Sequence, residues 1–157
     1  MRVAVFVDVQ NIYYTSKEAF GRSFDYRKFW KQLSSEGDVV AAKAYATNKK
    51  DDGQIKFQDA LRHIGFEVKL KPFIQRSDGS AKGDWDVGIT IDVLDQLKND
   101  VDLIVLLSGD GDFSLLLDKV SSESDMKTRV YGVRSLTANA LINAADEFVE
   151  INEELLL

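Results

Sequence analysis

Residues 102–113 read Asp102-Leu103-Ile104-Val105-Leu106-Leu107-Ser108-Gly109-Asp110-Gly111-Asp112-Phe113. The aliphatic run has no alternation of apolar and polar positions, so it predicts a strand buried on both faces, as at the centre of a parallel sheet. Phe113, Leu116, Leu117 and Val120 follow with the i, i+3, i+4, i+7 spacing of an amphipathic helix. Asp110 and Asp112 therefore fall at the carboxyl end of a strand and the start of a helix, where open α/β sheets hold their ligands. Gly109 and Gly111 let the backbone turn tightly there. Acids in this position also serve locally, with Asp112 capping the helix and Asp110 making a turn. The rest of the chain decides between the two uses.

A second valine-rich run, 2–7, also ends in a carboxylate, Asp8, and leads into a predicted helix that closes near Gly21. A further helix is expected over 24–33, with Asp25 as N-cap and Tyr26, Phe29, Trp30 and Leu33 on one face. A strand over 39–46 and a loop over 49–53 precede a helix carried by Phe57, Ala60, Leu61 and Ile64, which stops at Gly65. His63 lies off that stripe and reads as a surface or capping residue. After a strand over 66–70 comes one long irregular segment, 71–83, in which Lys71, Arg76 and Lys82 outnumber Asp78. Long loops within compact domains tend to be functional.

Asp84-Trp85-Asp86 then opens a helix whose predicted buried stripe is Val87, Thr90, Ile91, Leu94 and Leu97. That wheel sets Asp86 at the edge of the stripe and turns Asp92 toward solvent. A strand over 128–133, a short Ala-rich helix capped by Thr137 and an edge strand over 147–151 complete the pattern, and 153–157 either frays or packs. Strands alternating with helices throughout predict a three-layer α/β/α sandwich around a mainly parallel sheet, built as one domain over 1–157.

Composition removes several chemistries. The chain has no cysteine, which excludes disulfides, thiol catalysis and Cys-based zinc sites, and one histidine, which excludes any site needing two imidazoles. No apolar stretch approaches the roughly 20 residues that span a bilayer, and no leader pattern precedes the first strand. A cytoplasmic protein without a membrane partner is expected. The net charge of −6 argues against coating nucleic acid through bulk charge.

Three segments thus deliver Asp8, Asp86, Asp110 and Asp112 toward one edge, because all strand ends of a parallel sheet lie on the same side. Carboxylates held within a few ångströms repel by several kcal/mol, at an order of magnitude, unless a shared proton or a cation neutralises them. An all-oxygen donor set suits Mg²⁺ or Mn²⁺. The alternatives fit poorly. Asp8-Val9-Gln10 lacks both the acidic pair of a receiver domain and the Asp-x-Asp of a haloacid-dehalogenase phosphatase, and no P-loop is present.

With these residues in view, the chain resembles the NYN domain family in its LabA/DUF88 branch, within the PIN-like nuclease superfamily. The resemblance rests on Val7-Asp8-Val9-Gln10-Asn11, Lys82-Gly83-Asp84-Trp85-Asp86-Val87, Ser108-Gly109-Asp110-Gly111-Asp112-Phe113 and Ala144-Ala145-Asp146-Glu147-Phe148. It implies a PIN-like, Rossmann-like fold and a Mg²⁺- or Mn²⁺-dependent ribonuclease. Asp8, Asp86, Asp110 and Asp112 would be the metal-binding acids, with Asn11 and Ser108 orienting them or the attacking water. The family pattern shows one acid where this chain has Asp84 and Asp86, so Asp84 can share the duty. It also makes a homodimer an expectation, although no exposed apolar stripe in the sequence demands one.

For single-stranded or structured RNA as partner, Lys82, Arg76, Lys49, Lys50 and Arg134 would supply a local basic rim. Tyr13, Tyr14 and Trp85 lie beside the acidic motifs and could stack on unpaired bases. Each also has an ordinary structural use: lysines solvate loops, and aromatics near helix starts pack. The competing functional reading is a non-catalytic module that binds nucleic acid or protein on the same fold.

Overall fold

The computed structural model describes residues 1–48, 51–72, 74–75, 81–82 and 84–157, with the backbone alone at 48, 72, 74–75 and 81–82. Its strands are β1 (Arg2–Asp8), β2 (Asp38–Asn48), β3 (Glu67–Pro72), β4 (Ile74–Gln75), β5 (Ala81–Lys82), β6 (Leu103–Leu107), β7 (Lys127–Gly132) and β8 (Glu147–Glu150). Its helices are α1 (Val9–Phe20), α2 (Tyr26–Glu36), α3 (Asp52–Ile64), α4 (Asp86–Asp95), α5 (Ser114–Glu123) and α6 (Asn139–Ala144).

Six strands form one parallel sheet in the order β3-β2-β1-β6-β7-β8. All of β6 is buried, as its unbroken aliphatic run requires, and Val3 to Val7 beside it on β1 are fully buried too. From β1 the chain steps one way to β2 and β3, then returns across β1 and steps the other way through β6, β7 and β8. Right-handed crossovers travelling in opposite directions put their helices on opposite faces. One face accordingly packs Val3, Val5, Val7 and Val105 against Ile12, Phe29, Leu33 and Leu61 of α1–α3. The other packs Phe6, Ile104 and Leu106 against Ile89, Val93, Leu117 and Leu141 of α4–α6. The chain end packs rather than frays: Leu155 and Leu156 are buried, and Leu156 bridges to Phe24.

The helix caps follow the sequence closely. Asp25 accepts from the backbone N–H of Arg27 and Lys28 at 3.1 Å each, and α1 ends at Gly21 with φ 64°. Four local expectations are corrected. The 49–53 stretch is not all loop, because Asp51 caps α3 through the Gln54 N–H at 2.7 Å and Asp52 opens the helix. The 71–83 segment is not irregular throughout, because β3 runs to Pro72 and β4 pairs antiparallel with β5. Thr137 does not cap α6, since its hydroxyl donates to the Val133 carbonyl at 2.7 Å.

The fourth correction concerns α4. Ile89 and Val93 are its buried residues, while Val87 and Ile91 are 71% and 54% exposed. Apolar residues surround this helix, so periodicity alone does not select the inward face. Polar ties select it, and they turn Asp92 inward. Asp92 accepts from the Tyr45 hydroxyl at 2.7 Å and from Lys69 Nζ at 2.8 Å, joining α4 to β2 and β3. Val87 and Ile91 are thereby left as exposed aliphatics that the sequence pattern did not anticipate.

The Ala144-to-Phe148 motif lies at the amino edge of the sheet, opposite the strand ends that carry the acids. Asp146 Oδ2 accepts from the Thr128 N–H at 2.9 Å and hydroxyl at 3.2 Å, while Thr128 Oγ1 accepts the Asp146 N–H at 3.0 Å. This reciprocal clamp sets the register of β8 on β7. Asp146→Ala is expected to lower unfolding free energy in urea by about 1 kcal/mol. An unchanged denaturation midpoint would remove the clamp from the account.

Candidate metal centre

β1 and β6 are adjacent, with Val7 opposite Leu107, and the chain leaves them in opposite directions across the sheet. This is the switch point at which open α/β sheets form a crevice. The next residues on the two strands, Asp8 and Ser108, meet there: the Ser108 hydroxyl donates to Asp8 Oδ2 at 3.1 Å. Asp8 Oδ1 caps α1 by accepting the Asn11 N–H at 3.3 Å. Asn11 Oδ1 in turn accepts the Gly109 N–H at 2.9 Å, and Ser108 Oγ accepts the Asp110 N–H at 3.1 Å. Asn11 and Ser108 thus hold the turn after β6 to the end of β1.

That turn is also wedged from outside. A Cβ on Gly109 would lie 2.7 Å from the Leu136 carbonyl oxygen, so only glycine allows this approach, and the Gly109 carbonyl accepts the Ala138 N–H at 3.1 Å. Asp110 makes the local turn that sequence suggests, whereas Asp112 caps no helix, since α5 has no side-chain cap. Asp110 Oδ1 accepts the Asp112 N–H at 2.9 Å and caps a single 3₁₀ turn, 111–113, leaving Asp112 exposed.

One carboxylate oxygen from each of Asp86, Asp110 and Asp112 lies within 4.8 Å of the others. Asp86 enters from the first turn of α4 and shares a hydrogen bond with the carboxyl of Asp110. Asp8 stands behind this group, joined to it through Ser108, and Asp84 lies exposed beside it. Among the described residues, no salt bridge reaches any of these five acids. Burial pushes the Asp8 carboxyl up to about 6, against the lowering effect of its Asn11 and Ser108 hydrogen bonds. Burial, then the hydrogen bond and charge of Asp110, then the charges of Asp8 and Asp84 push Asp86 up to about 7. Acids this close are relieved by a proton on Asp86 or by a divalent cation among them.

Asp86 is placed by ties that sequence reading missed. Trp85 donates from Nε1 to the Ala46 carbonyl at 2.9 Å and packs on Tyr45 at 5.3 Å. Lys71 Nζ donates to the Asp84 carbonyl at 2.8 Å and sits 4.9 Å over the Trp85 ring. With the Asp92 bonds to Tyr45 and Lys69, these contacts fasten both ends of the α4 entry to β2 and β3. The available signal was Asp92 itself, an acid flanked by Ile91 and Val93 within an apolar helix.

The remaining candidates are dispersed. Arg134 pairs with Glu150 at 3.5 Å and lies 5.0 Å over Phe148. Tyr13 and Tyr14 are exposed and meet edge to face at 5.4 Å. His63 is exposed in the last turn of α3. Arg76, Lys49, Lys50 and the side chain of Lys82 lie outside the described residues.

Asp8 titrates at about 6 when folded, against 3.8 as a free side chain. Its stabilising contribution is therefore complete below pH ~4 and lost as pH rises through ~6. In EDTA, Asp8→Asn is expected to gain stability over wild type as pH rises from 4 to 7, by up to about 3 kcal/mol. A difference that stays flat with pH would show that Asp8 is not desolvated.

Comparison with known proteins agrees with this architecture. The chain is 52% identical to a Vibrio parahaemolyticus protein of unknown function whose crystal structure is known, with a TM-score of 0.93 over 99% of this chain and 96% of that one. It is 31% identical to the low amplitude and bright protein LabA of Synechococcus elongatus, over 97% of this chain and 84% of LabA. No helix among the described residues is long and apolar enough to cross a membrane. The NYN domain family model matches residues 2–152, and with the parallel sheet and the acids gathered at its switch point, the chain belongs to the NYN domain family and has its PIN-like nuclease fold.

Proposed function

We propose that this protein is a ribonuclease that hydrolyses RNA phosphodiester bonds with Mg²⁺ or Mn²⁺ at the Asp86–Asp110–Asp112 cluster. The observation that carries the reading is the convergence of three carboxylates from two segments with no salt bridge to any of them among the described residues. Their hard oxygen donors fit a small divalent cation better than zinc or copper. When bound, such an ion supplies Lewis acidity to a phosphoryl oxygen and lowers the pKa of water.

The chain's own residues do the rest. Asp86, Asp110 and Asp112 hold the ion, and Asp8 and Asp84 add charge to the same edge. Asn11 and Ser108 keep the Asp110 turn in place, so that the acids reorganise little when an ion arrives. A module that only bound RNA would gain nothing from uncompensated negative charge facing a phosphate. That charge favours the hydrolytic reading over the non-catalytic one.

Two measurements follow. End-labelled single-stranded and hairpin RNAs are expected to be cut with Mn²⁺ or Mg²⁺ and left intact in EDTA. Ser108→Ala should reduce the rate roughly 10–100-fold as the loss of a supporting group, and Asp110→Asn should reduce it further, with both variants folded. Equal behaviour of wild type and Asp110→Asn across RNAs and metals would overturn the enzyme reading in favour of the binding module. Because Asp86 stays protonated up to about 7 without an ion, Mn²⁺ binding should release protons and strengthen between pH 5.5 and 8. Calorimetry in two buffers of different ionisation enthalpy reads that release, and a pH-independent affinity would argue against Asp86 as a ligand.

A further inference from the structure

A second concavity opens on the α1–α3 side of the same sheet edge, with a volume of about 550 Å³, within the usual range for small-ligand pockets. We infer that it is a nucleobase pocket, which takes one unpaired base of the RNA strand whose phosphate the acidic cluster engages. This inference rests on the ribonuclease reading and adds to it a preference for single-stranded substrate.

Three observations carry it. The first is the lining. Tyr13 and Tyr14, 49% and 56% exposed, stand at α1, and Phe57 faces the same space from α3. Aromatic faces of this kind stack on any base. The second is the polar complement. Gln10, Thr47 and Gln54 line the cavity, two amides and a hydroxyl that match the donor and acceptor pattern of a base edge. An apolar peptide side chain would leave them unpaired, at a cost a base avoids.

The sign of the charge narrows the ligand further. Asp51 is the one charged side chain among the described lining residues, and it is engaged as the α3 cap. An acid in the lining suits the neutral part of a nucleotide better than its phosphate.

The third observation is continuity with the acids. Val9 and Gln10, which line the pocket, directly follow Asp8 on the first turn of α1. Ala46 lines it as well, and its carbonyl accepts the Trp85 Nε1–H from the strap that carries Asp86. Pocket and cluster therefore flank the end of β1, the pocket toward β2 and the cluster toward β6. A strand laid across that edge presents a base to one side and a phosphate to the other. Duplex RNA, with its bases paired inward, does not.

The test separates this inference from the nuclease reading by measuring binding without metal. Fluorescence anisotropy in EDTA compares wild type with the Tyr13→Ala/Tyr14→Ala double variant on a labelled single-stranded heptamer. The same heptamer carrying one abasic position, moved along the strand, completes the cycle. Removing the tyrosines should weaken binding about tenfold, and so should an abasic site at one position. The two losses should not add, because they delete the same contact. Melting temperatures control for folding, and both tyrosines are exposed enough to be removed without unpacking the core.

Tyrosine-to-alanine protein that binds intact and abasic strands as wild type does would overturn the pocket. The same result is expected if a protein segment is the true occupant. A cycle that shows coupling while no RNA is cut in Mn²⁺ would overturn the nuclease reading and keep the base site. Cleavage with KM unchanged in the tyrosine variant would overturn the base site and keep the nuclease.

Discussion

Carboxylates that repel one another are the constraint to which this fold answers. Burial raises the proton affinity of Asp8 and Asp86, and the charges of Asp110 and Asp84 beside them raise it further. A flexible loop would relieve that repulsion by moving apart. Here the acids are anchored to elements that do not yield: the ends of two central strands and the first turn of a helix. The hydrogen bonds around them go largely to fixing backbone. Asn11 takes the Gly109 N–H, Ser108 takes the Asp110 N–H and Asp110 takes the Asp112 N–H. Strain of this kind persists only where the surrounding structure over-determines it, and two fully buried core layers supply that surplus.

The entry to α4 illustrates how an apolar helix acquires a fixed orientation. Hydrophobic burial is non-directional, and a helix with aliphatics on every side satisfies it in several rotations. The Asp92 bonds to Tyr45 and Lys69 and the Trp85 bond to Ala46 satisfy it in one. A partly buried carboxylate without partners is costly, so any rotation that parts Asp92 from Tyr45 and Lys69 is disfavoured. That choice brings Asp86 to Asp110 and leaves Val87 and Ile91 outside. Close packing reinforces it, since a Cβ on Gly88 would fall 2.5 Å from the Trp85 ring.

What the sequence discloses and what it withholds follow from the range of each interaction. Burial of β6 on both faces is legible because its five aliphatics are consecutive, and Asp25, Gly21 and Gly65 are legible because caps act within a turn. The convergence of Asp86 with Asp110 is legible only by way of topology, from the rule that parallel strands end on one side. The inward face of α4 is not legible, because its determinants, Tyr45 and Lys69, lie more than twenty residues away on other strands. That Asp110 and not Asp112 supplies the cap is hidden for a similar reason. A two-residue shift of the cap depends on the wedge against Leu136 and Ala138, which no local pattern encodes. Asp146 is the converse case, a motif residue whose whole visible work is at the amino edge, holding β8 to β7.

On the proposed reading, net charge gives the two sides of the edge complementary tasks. A chain of net charge −6 with acids at its crevice does not attract a polyanion at long range, and phosphate contacts to lysine or arginine weaken steeply with salt. A bound divalent cation reverses the sign locally, at one phosphate, without altering the field elsewhere. On the proposed reading, contacts that carry no charge add affinity for the rest of the strand, and stacking on tyrosine with hydrogen bonds to amides is such a contact. It is weakly screened by salt, and it exists only where bases are unpaired. An acidic nuclease with an aromatic pocket would thus select single strands twice over. Repulsion turns away the dense charge of a duplex, and the pocket retains a strand whose bases are free.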